Sequence, residues 1–151
     1  MSYQDEKVPS MLLYACYQIP FEQADTLIDN WLRENPQKSS LNLYNLISKG
    51  KIIVKNGFLY EIPPLSLKEA QSLALELQAD NGVEIKNRWY NLKLYRQCFI
   101  GSELVDWLTK TKGITTEEAI ALGQNLFEYQ LIKHVHEDHD FKNEFLFYRF
   151  C

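Results

Sequence analysis

Three histidines and three acidic residues are crowded into the stretch HVHEDHD, residues 134–140. Imidazole nitrogens and carboxylate oxygens are both zinc ligands, and His134 and His136 would share one face of a strand. The same pattern is also typical of a polar turn in which His134 packs at the end of a strand. We favour the turn, and so expect no metal and no cofactor. If a metal does bind, the residues expected to hold it are His134, His136 and His139.

A second cluster, IKNRWYNLKLYR at residues 85–96, combines cations with aromatic residues and contains no acid. Its cations are Lys86, Arg88, Lys93 and Arg96. Each cation near an anionic leaflet contributes about 1 kcal/mol, and tryptophan suits the headgroup layer. The four cations and Trp89 therefore predict a surface that binds anionic lipid headgroups or a signalling protein. The alternative is a solvated hairpin with Trp89 buried against the domain; strand alternation favours cations outward and Trp89 inward.

Residues 101–108, GSELVDWL, place a serine close to an aspartate, which are residue types found in hydrolases. No glycine elbow surrounds Ser102, and no motif supplies a base. The chain also lacks a phosphate-binding glycine loop and a metalloprotease helix motif. We therefore expect no enzymatic activity, and we expect Ser102 to cap a helix.

Composition limits the class of protein. The 151 residues are 46% hydrophobic and 24% charged, which is typical of a globular chain. A net charge of −4 argues against a general nucleic-acid binder. Cys16, Cys98 and Cys151 are far apart, which favours a reducing compartment. Without a signal peptide or a transmembrane segment, we expect a cytoplasmic protein that contacts a membrane only peripherally, at its inner surface.

The first part of the chain, residues 1–62, has the helix order of a winged-helix module. A helix is expected to start at Pro9, after a loose start, and a second one to run from Phe21 to Asn35. A third is capped by Ser39 or Ser40. Two β-rich runs then flank Asn56-Gly57, a strong hairpin signal. Pro63-Pro64 ends the last strand and marks the domain boundary.

Residues 66–151 form the second predicted domain. Capping boxes at Ser66 and Thr115 each begin a helix, and another helix starts at Gly101. Two strands turn near Asn91, and two more, residues 131–136 and 145–150, close the chain. Both domains end in a helix, a strand, a turn and a strand. This order fits an internal repeat, and it fits equally well two modules that follow the same packing rule.

Three stretches of this second domain together resemble the DEP domain, over about residues 68–150. They are GVEIKNRWYNLKLYRQCFIGSELVDWL, EEAIALGQNLFEYQLIKHV and FKNEFLFYRF. The resemblance implies a winged-helix-like three-helix bundle with a β-hairpin arm and a small antiparallel sheet. It also implies a non-catalytic module that carries its host to membranes or to membrane-bound partners. Residues 1–62 resemble no family that we can name.

The expected fold is therefore α+β and mainly helical, with a DEP-like domain after a helical and hairpin unit that is itself winged-helix-like. The expected function is an intracellular signal-transduction or localisation module. The alternative is a winged-helix transcriptional regulator that binds nucleic acid, but the third helix offers only Lys49 to phosphates. The apolar segment 11–17 requires a covering surface, within the chain or across a homodimer.

Overall fold

The computed structural model describes the backbone of residues 3–55 and 57–151, and side chains from residue 9 onward within those ranges. The chain divides into two units, Met1–Ile62 and Pro63–Cys151. The described residues form six helices and two small antiparallel sheets. The predicted α+β class is therefore confirmed.

The first unit follows the predicted order of three helices and one hairpin. Its elements are α1 (Tyr3–Tyr17), α2 (Phe21–Glu34), α3 (Ser40–Ser48), β1 (Ile52–Lys55) and β2 (Phe58–Glu61). Leu13, Ile28 and Leu43, one from each helix, are buried in a shared core. Full burial of such a side chain contributes roughly 1.5–3 kcal/mol, so this core holds the three helices together.

Helix α1 begins earlier than the sequence indicated. We expected a helix start at Pro9, but α1 begins at Tyr3 and Pro9 lies inside it. The prediction for residues 1 and 2 lies outside the described residues. A proline inside a helix removes one backbone N–H donor, which is why proline usually marks a first turn. Here that preference misplaced the start of the helix.

The cap of α3 and the hairpin agree with the sequence. The Oγ of Ser39 accepts the N–H of Asn42, and the Asn42 side chain accepts the N–H of Ser39. Pairing of Lys55 with Phe58 leaves a two-residue connection between β1 and β2. Gly57 has a φ of 79°, which this type of turn requires. Asn56 lies outside the described residues.

The second unit carries the remaining elements. They are α4 (Leu67–Gln78), β3 (Lys86–Tyr90), β4 (Lys93–Ile100), α5 (Gly101–Lys112), α6 (Thr116–Glu128), β5 (Ile132–His134) and β6 (Phe147–Phe150). Their strands form one antiparallel sheet in the order β3-β4-β6-β5. Phe99 of β4, Leu104 of α5, Leu126 of α6 and Tyr148 of β6 meet in the core.

The segment between β5 and β6 is less polar than predicted. It was expected to be a polar turn between two six-residue strands, but the strands are shorter and Phe141 is buried in the core. The hydroxyl of Tyr148 donates to the carbonyl of Asp140 at 2.6 Å and accepts the N–H of Lys142 at 3.0 Å. Burial raises the pKa of Tyr148 to about 12, so this hydroxyl remains a hydrogen-bond donor.

Two helix starts differ in how they are capped. Ser66 and Glu69 form the predicted capping box of α4. Ser102 does not cap α5, since the residue before this helix is Ile100 and its end has no side-chain cap. The N–H of Ser102 donates to the carbonyl of Glu144 instead, at 3.1 Å. None of the described helices is long and apolar enough to cross a membrane.

Candidate functional site

The hairpin of β3 and β4, residues 86–100, is called the arm below, and it reverses at Asn91 and Leu92. Both turn residues have positive φ, 51° and 63°. Positive φ at both positions matches the twist of the two strands, which is why Asn-Gly is the usual sequence there. Leucine is uncommon in this conformation because its Cβ crowds the backbone. The turn therefore holds Leu92 in a strained position at the end of the arm.

A β-bulge twists the arm near its base. The register shifts between Lys86 and Arg88, where two residues of β4 lie opposite one residue of β3. Gln97 has a φ of 48°, and its N–H donates to the side-chain oxygen of Asn87 at 3.0 Å. Bulges increase twist and redirect the side chains beside them. Simple alternation along β4 is therefore interrupted here.

Arg88 points into the domain, which corrects its predicted outward orientation. Its side chain is only 11% exposed. The guanidinium donates to the carbonyl of Glu84 at 3.2 Å and to the carbonyl of Cys98 at 3.4 Å. It also lies 3.6 Å from the carboxylate of Glu103. Because the protein itself satisfies this cation, Arg88 contributes little charge to the surface of the arm.

Trp89 points outward, the reverse of its predicted orientation, and is 74% exposed. Successive side chains of a strand alternate between faces, so an inward Arg88 places Trp89 on the outer side. Leu92 is 99% exposed. The alternative hypothesis of a Trp89 buried against the domain is therefore wrong. Trp89 and Leu92 together are called the apolar tip below.

The remaining arm cations are exposed but differ in their partners. Lys86 pairs with Glu84 at 2.9 Å, and the hydrogen bond from Lys86 lowers the pKa of Glu84. The Nζ of Lys93 lies 5.4 Å from the centroid of the Tyr95 ring. Within the part of the chain that the structure describes, Lys93 and Arg96 form no ion pair with a carboxylate. These two are called the unpaired cations below.

A guanidinium from the neighbouring strand adds to this charge. The Nε of Arg149, on β6, donates to the carbonyl oxygen of Arg96 at 2.9 Å. Sequence reasoning missed Arg149, since it lies 53 residues further along the chain. Only the antiparallel pairing of β4 with β6 brings it to the arm.

Aromatic rings of β6 and of the segment before it pack against the arm. The ring of Phe147 lies 5.8 Å from Tyr90 and 5.2 Å from Tyr95, measured between centroids. Phe145 extends this cluster, at 5.7 Å from Tyr90. Edge-to-face pairs of this kind contribute about 0.5–1.5 kcal/mol each beyond burial. Tyr90 and Tyr95 therefore hold the arm against β6 and the segment that leads into it.

The structure brings two of the three candidate histidines, His134 and His139, together with Asp138. The Nε2 of His136 lies 3.1 Å from the hydroxyl of Tyr95. The Nδ1 of His134 lies 2.8 Å from a carboxylate oxygen of Asp138, and the Nε2 of His139 lies 4.0 Å from the same oxygen. Burial lowers the pKa of His134, and the charge of Asp138 partly opposes that effect. The set that comes together is thus two histidines and one aspartate.

The family follows from residues 82–150, which match the domain found in Dishevelled, Egl-10 and Pleckstrin. These residues are a DEP domain. The resemblance seen in the sequence over about residues 68–150 is confirmed, and the matched range begins at residue 82. The DEP domain contains the whole arm, the apolar tip and the histidine cluster.

Similar proteins are much longer than this chain. The mouse phosphatidylinositol 3,4,5-trisphosphate-dependent Rac exchanger 1 protein is 30% identical over 138 residues, which is 91% of this chain and 8% of that protein. The vacuolar membrane-associated protein iml1 of Aspergillus terreus is 36% identical over 95 residues, 58% of this chain and 5% of that protein. The probable serine/threonine-protein kinase roco8 of Dictyostelium discoideum is 40% identical over 83 residues, 50% of this chain and 4% of that protein.

Proposed function

We propose that this chain is a non-enzymatic signal-transduction or localisation module whose arm binds an anionic membrane surface. The observation that carries the proposal is the apolar tip, which lies at the end of a hairpin beside the unpaired cations. A strained, fully exposed Leu92 has no role in the packing of the domain. Strain of this kind persists where the surrounding structure enforces it, and it is concentrated at functional sites.

The chemistry of the tip fits the boundary between lipid headgroups and acyl chains. Burying a leucine side chain contributes roughly 1.5–3 kcal/mol, and tryptophan is enriched at that depth. Each of the two unpaired cations adds about 1 kcal/mol near an anionic leaflet. The sum is a few kcal/mol, so the contact is reversible. A reversible contact suits a localisation signal that is regulated.

The names of two similar proteins are consistent with a membrane partner. One refers to dependence on phosphatidylinositol 3,4,5-trisphosphate, and another to association with the vacuolar membrane. The chain spans less than a tenth of either protein, so these names support the proposal only by analogy. We propose, on this basis, a cytoplasmic location with peripheral attachment to a membrane.

Co-sedimentation with vesicles tests the proposal. The full chain is mixed with phosphatidylcholine vesicles that contain or lack phosphatidylserine. We expect binding to the anionic vesicles only. The double reversal Lys93→Glu with Arg96→Glu should weaken that binding roughly thirtyfold or more, since two favourable charges are lost. Leu92→Ser should weaken it about tenfold through lost burial.

Matched controls separate the arm from general charge and hydrophobicity. Lys68→Glu with Lys110→Glu reverses two exposed cations outside the arm, and Leu75→Ser removes a leucine that is 71% exposed on α4. Both controls should bind as the unaltered chain does. Equal binding to neutral and anionic vesicles, or equal losses in the controls, would contradict the proposal. If the chain binds no vesicles but captures an acidic protein, and this capture requires Lys93 and Arg96, the partner is a protein rather than a lipid.

A further inference from the structure

A cluster of metal-ligating side chains lies in the DEP domain outside the residues of the arm. His134 stands at the end of β5, and Asp138 and His139 follow on the connection to β6. One ligand atom from each lies within 4.8 Å of the other two. His134 is 4% exposed, whereas Asp138 is largely exposed. A buried imidazole is thus joined by two ligands that solvent can reach.

The spacing of these atoms is close to that of a zinc coordination shell. Ligands of tetrahedral Zn²⁺ lie about 3.4 Å apart, because the bonds to nitrogen and oxygen are roughly 2.0–2.1 Å long. The separation of 2.8 Å between His134 and Asp138 and that of 4.0 Å between Asp138 and His139 fall on either side of this value. Small rotations of the two exposed side chains reach it.

The Nδ1 of His134 has two polar neighbours. It lies 3.2 Å from the N–H of His136, which requires a lone pair on that nitrogen. The same nitrogen lies 2.8 Å from the Asp138 carboxylate, a distance at which an N–H group donates to the oxygen. One lone pair cannot satisfy both contacts. A cation bound by both atoms would replace the hydrogen bond between them, and the His136 N–H would lose this acceptor.

We propose that His134, Asp138 and His139 bind a divalent transition-metal ion of the Zn²⁺ class. Two imidazoles and one carboxylate are a donor set that suits this class. Both histidines also line a cavity of about 550 Å³, together with Cys151. The cavity gives water access to the remaining coordination position. His136 lies outside this set of ligands, and its Nε2 contacts the Tyr95 hydroxyl. The ion ties the end of β5 to the connection that carries Phe141.

Metal titration of the full, tag-free chain tests this site. The two exposed cysteines are removed by Cys16→Ser and Cys151→Ser, so that thiolates do not compete for the metal. Zn²⁺ binding is measured by calorimetry, and Co²⁺ binding by its visible absorption, which Zn²⁺ lacks. We expect saturable binding of one ion per chain, with the intense bands of a low-symmetry Co²⁺ site.

Neighbouring residues provide matched variants for the assignment. Asp138→Asn and His139→Gln should each weaken binding about tenfold or more, as the loss of even an outer-shell partner does. Asp140→Asn and His136→Gln make the same chemical changes two and three residues away, and should leave affinity within about twofold. Thermal unfolding without metal verifies that each variant is folded. Absence of saturable binding, or equal losses in all four variants, would overturn the proposal.

Discussion

Arg88 and Trp89 are neighbours in β3 whose side chains have opposite environments. The Arg88 guanidinium is held by two backbone carbonyls and by Glu103. The contact with Glu103 contributes little, because that carboxylate is 42% exposed and water screens the pair. Trp89 is mostly exposed. Arg88 should therefore matter for folding stability, and Trp89 for binding to the membrane.

Substitution of each should separate the two effects. Arg88→Met leaves two carbonyls without their charged donor, and should destabilise the chain by about 1–3 kcal/mol while the folded protein still binds anionic vesicles. Trp89→Ala should leave stability unchanged and weaken vesicle binding. Urea unfolding and co-sedimentation measure the two quantities. If folded Arg88→Met loses vesicle binding while Trp89→Ala keeps it, Arg88 rather than Trp89 is the binding residue.

The sequence predicted the hairpin but not its orientation. Runs of residues with high strand propensity and a turn near Asn91 were enough to place β3 and β4. Strand alternation separates the side chains into two faces, but it does not determine which face packs against the domain. That choice depends on the backbone carbonyls that receive Arg88, which are contacts made only after folding. An inward cation was the less expected outcome, because burial of a charge costs free energy unless it is paired.

The three cysteines should differ sharply in reactivity. Cys98 is buried, and burial raises the pKa of its thiol. Cys16 and Cys151 are exposed. With an aromatic disulfide reagent near neutral pH, two thiols should react quickly and the third only after unfolding. The variant Cys16→Ser with Cys151→Ser should then show no fast phase; a fast phase there would mean that Cys98 is accessible.

Among the elements, the turn of the arm exposes the Leu92 side chain at a cost in folding stability. A leucine in the left-handed conformation costs roughly 1–2 kcal/mol relative to a residue without this penalty. Asn91 tolerates a positive φ better than Leu92 does. The turn would be more stable with glycine at position 92, as in the common Asn-Gly hairpin. Folding therefore does not explain the leucine, which fits the membrane contact that we propose.

Leu92→Gly should raise stability and lower function together. The removal of strain should stabilise the DEP domain by about 1 kcal/mol, while the loss of the side chain should weaken binding to anionic vesicles. Thermal unfolding and co-sedimentation of the same preparation measure both. Leu92→Ala serves as the control, since it keeps the strain but loses the side chain. A fall in stability for Leu92→Gly would show that the turn is not strained.

A close contact in the core permits a further prediction for α6. A Cβ on Gly123 would lie 2.1 Å from the ring of Phe141, which is buried. Gly123→Ala should therefore destabilise the domain by about 1–3 kcal/mol, although alanine is the better helix former. The double variant with Phe141→Leu should recover part of this loss. Equal or higher stability of Gly123→Ala alone would mean that Phe141 can move aside.

Element boundaries were predictable where local chemistry sets them. The Ser39 and Ser66 caps and the Gly57 turn use residues whose own side chains or backbone make the contact. The start of α1 and the burial of Phe141 were not predictable in this way. Both depend on tertiary packing. Phe141 has polar neighbours in the sequence, and it enters the core only beside Tyr148.

For the whole molecule, we propose that residues 1–62 and 66–151 are separate domains that unfold independently. Each unit has its own buried core, built around Ile28 in the first and Leu104 in the second. Units of this size bury a smaller share of their surface than larger domains and are correspondingly marginal in stability. Separate transitions are therefore expected in calorimetry.

Core truncations should identify the two transitions. Ile28→Ala and Leu104→Ala should each cost on the order of 2–5 kcal/mol, and each should lower a different transition. Differential scanning calorimetry of the full chain measures both at once. A single transition that both substitutions lower equally would contradict the domain proposal.

The charge of the whole chain acts against the proposed membrane contact. Lys and Arg total 16 against 20 for Asp and Glu, so attraction to an anionic surface must be local. We therefore expect membrane binding to depend on insertion of the apolar tip. A nitroxide attached at position 92, in a Leu92→Cys, Cys16→Ser, Cys151→Ser variant, reports its depth directly. We predict that on anionic vesicles this label becomes accessible to apolar oxygen and protected from an aqueous relaxing agent, while a label at position 75 stays aqueous. A label at position 92 that stays aqueous on vesicle-bound protein would contradict the account.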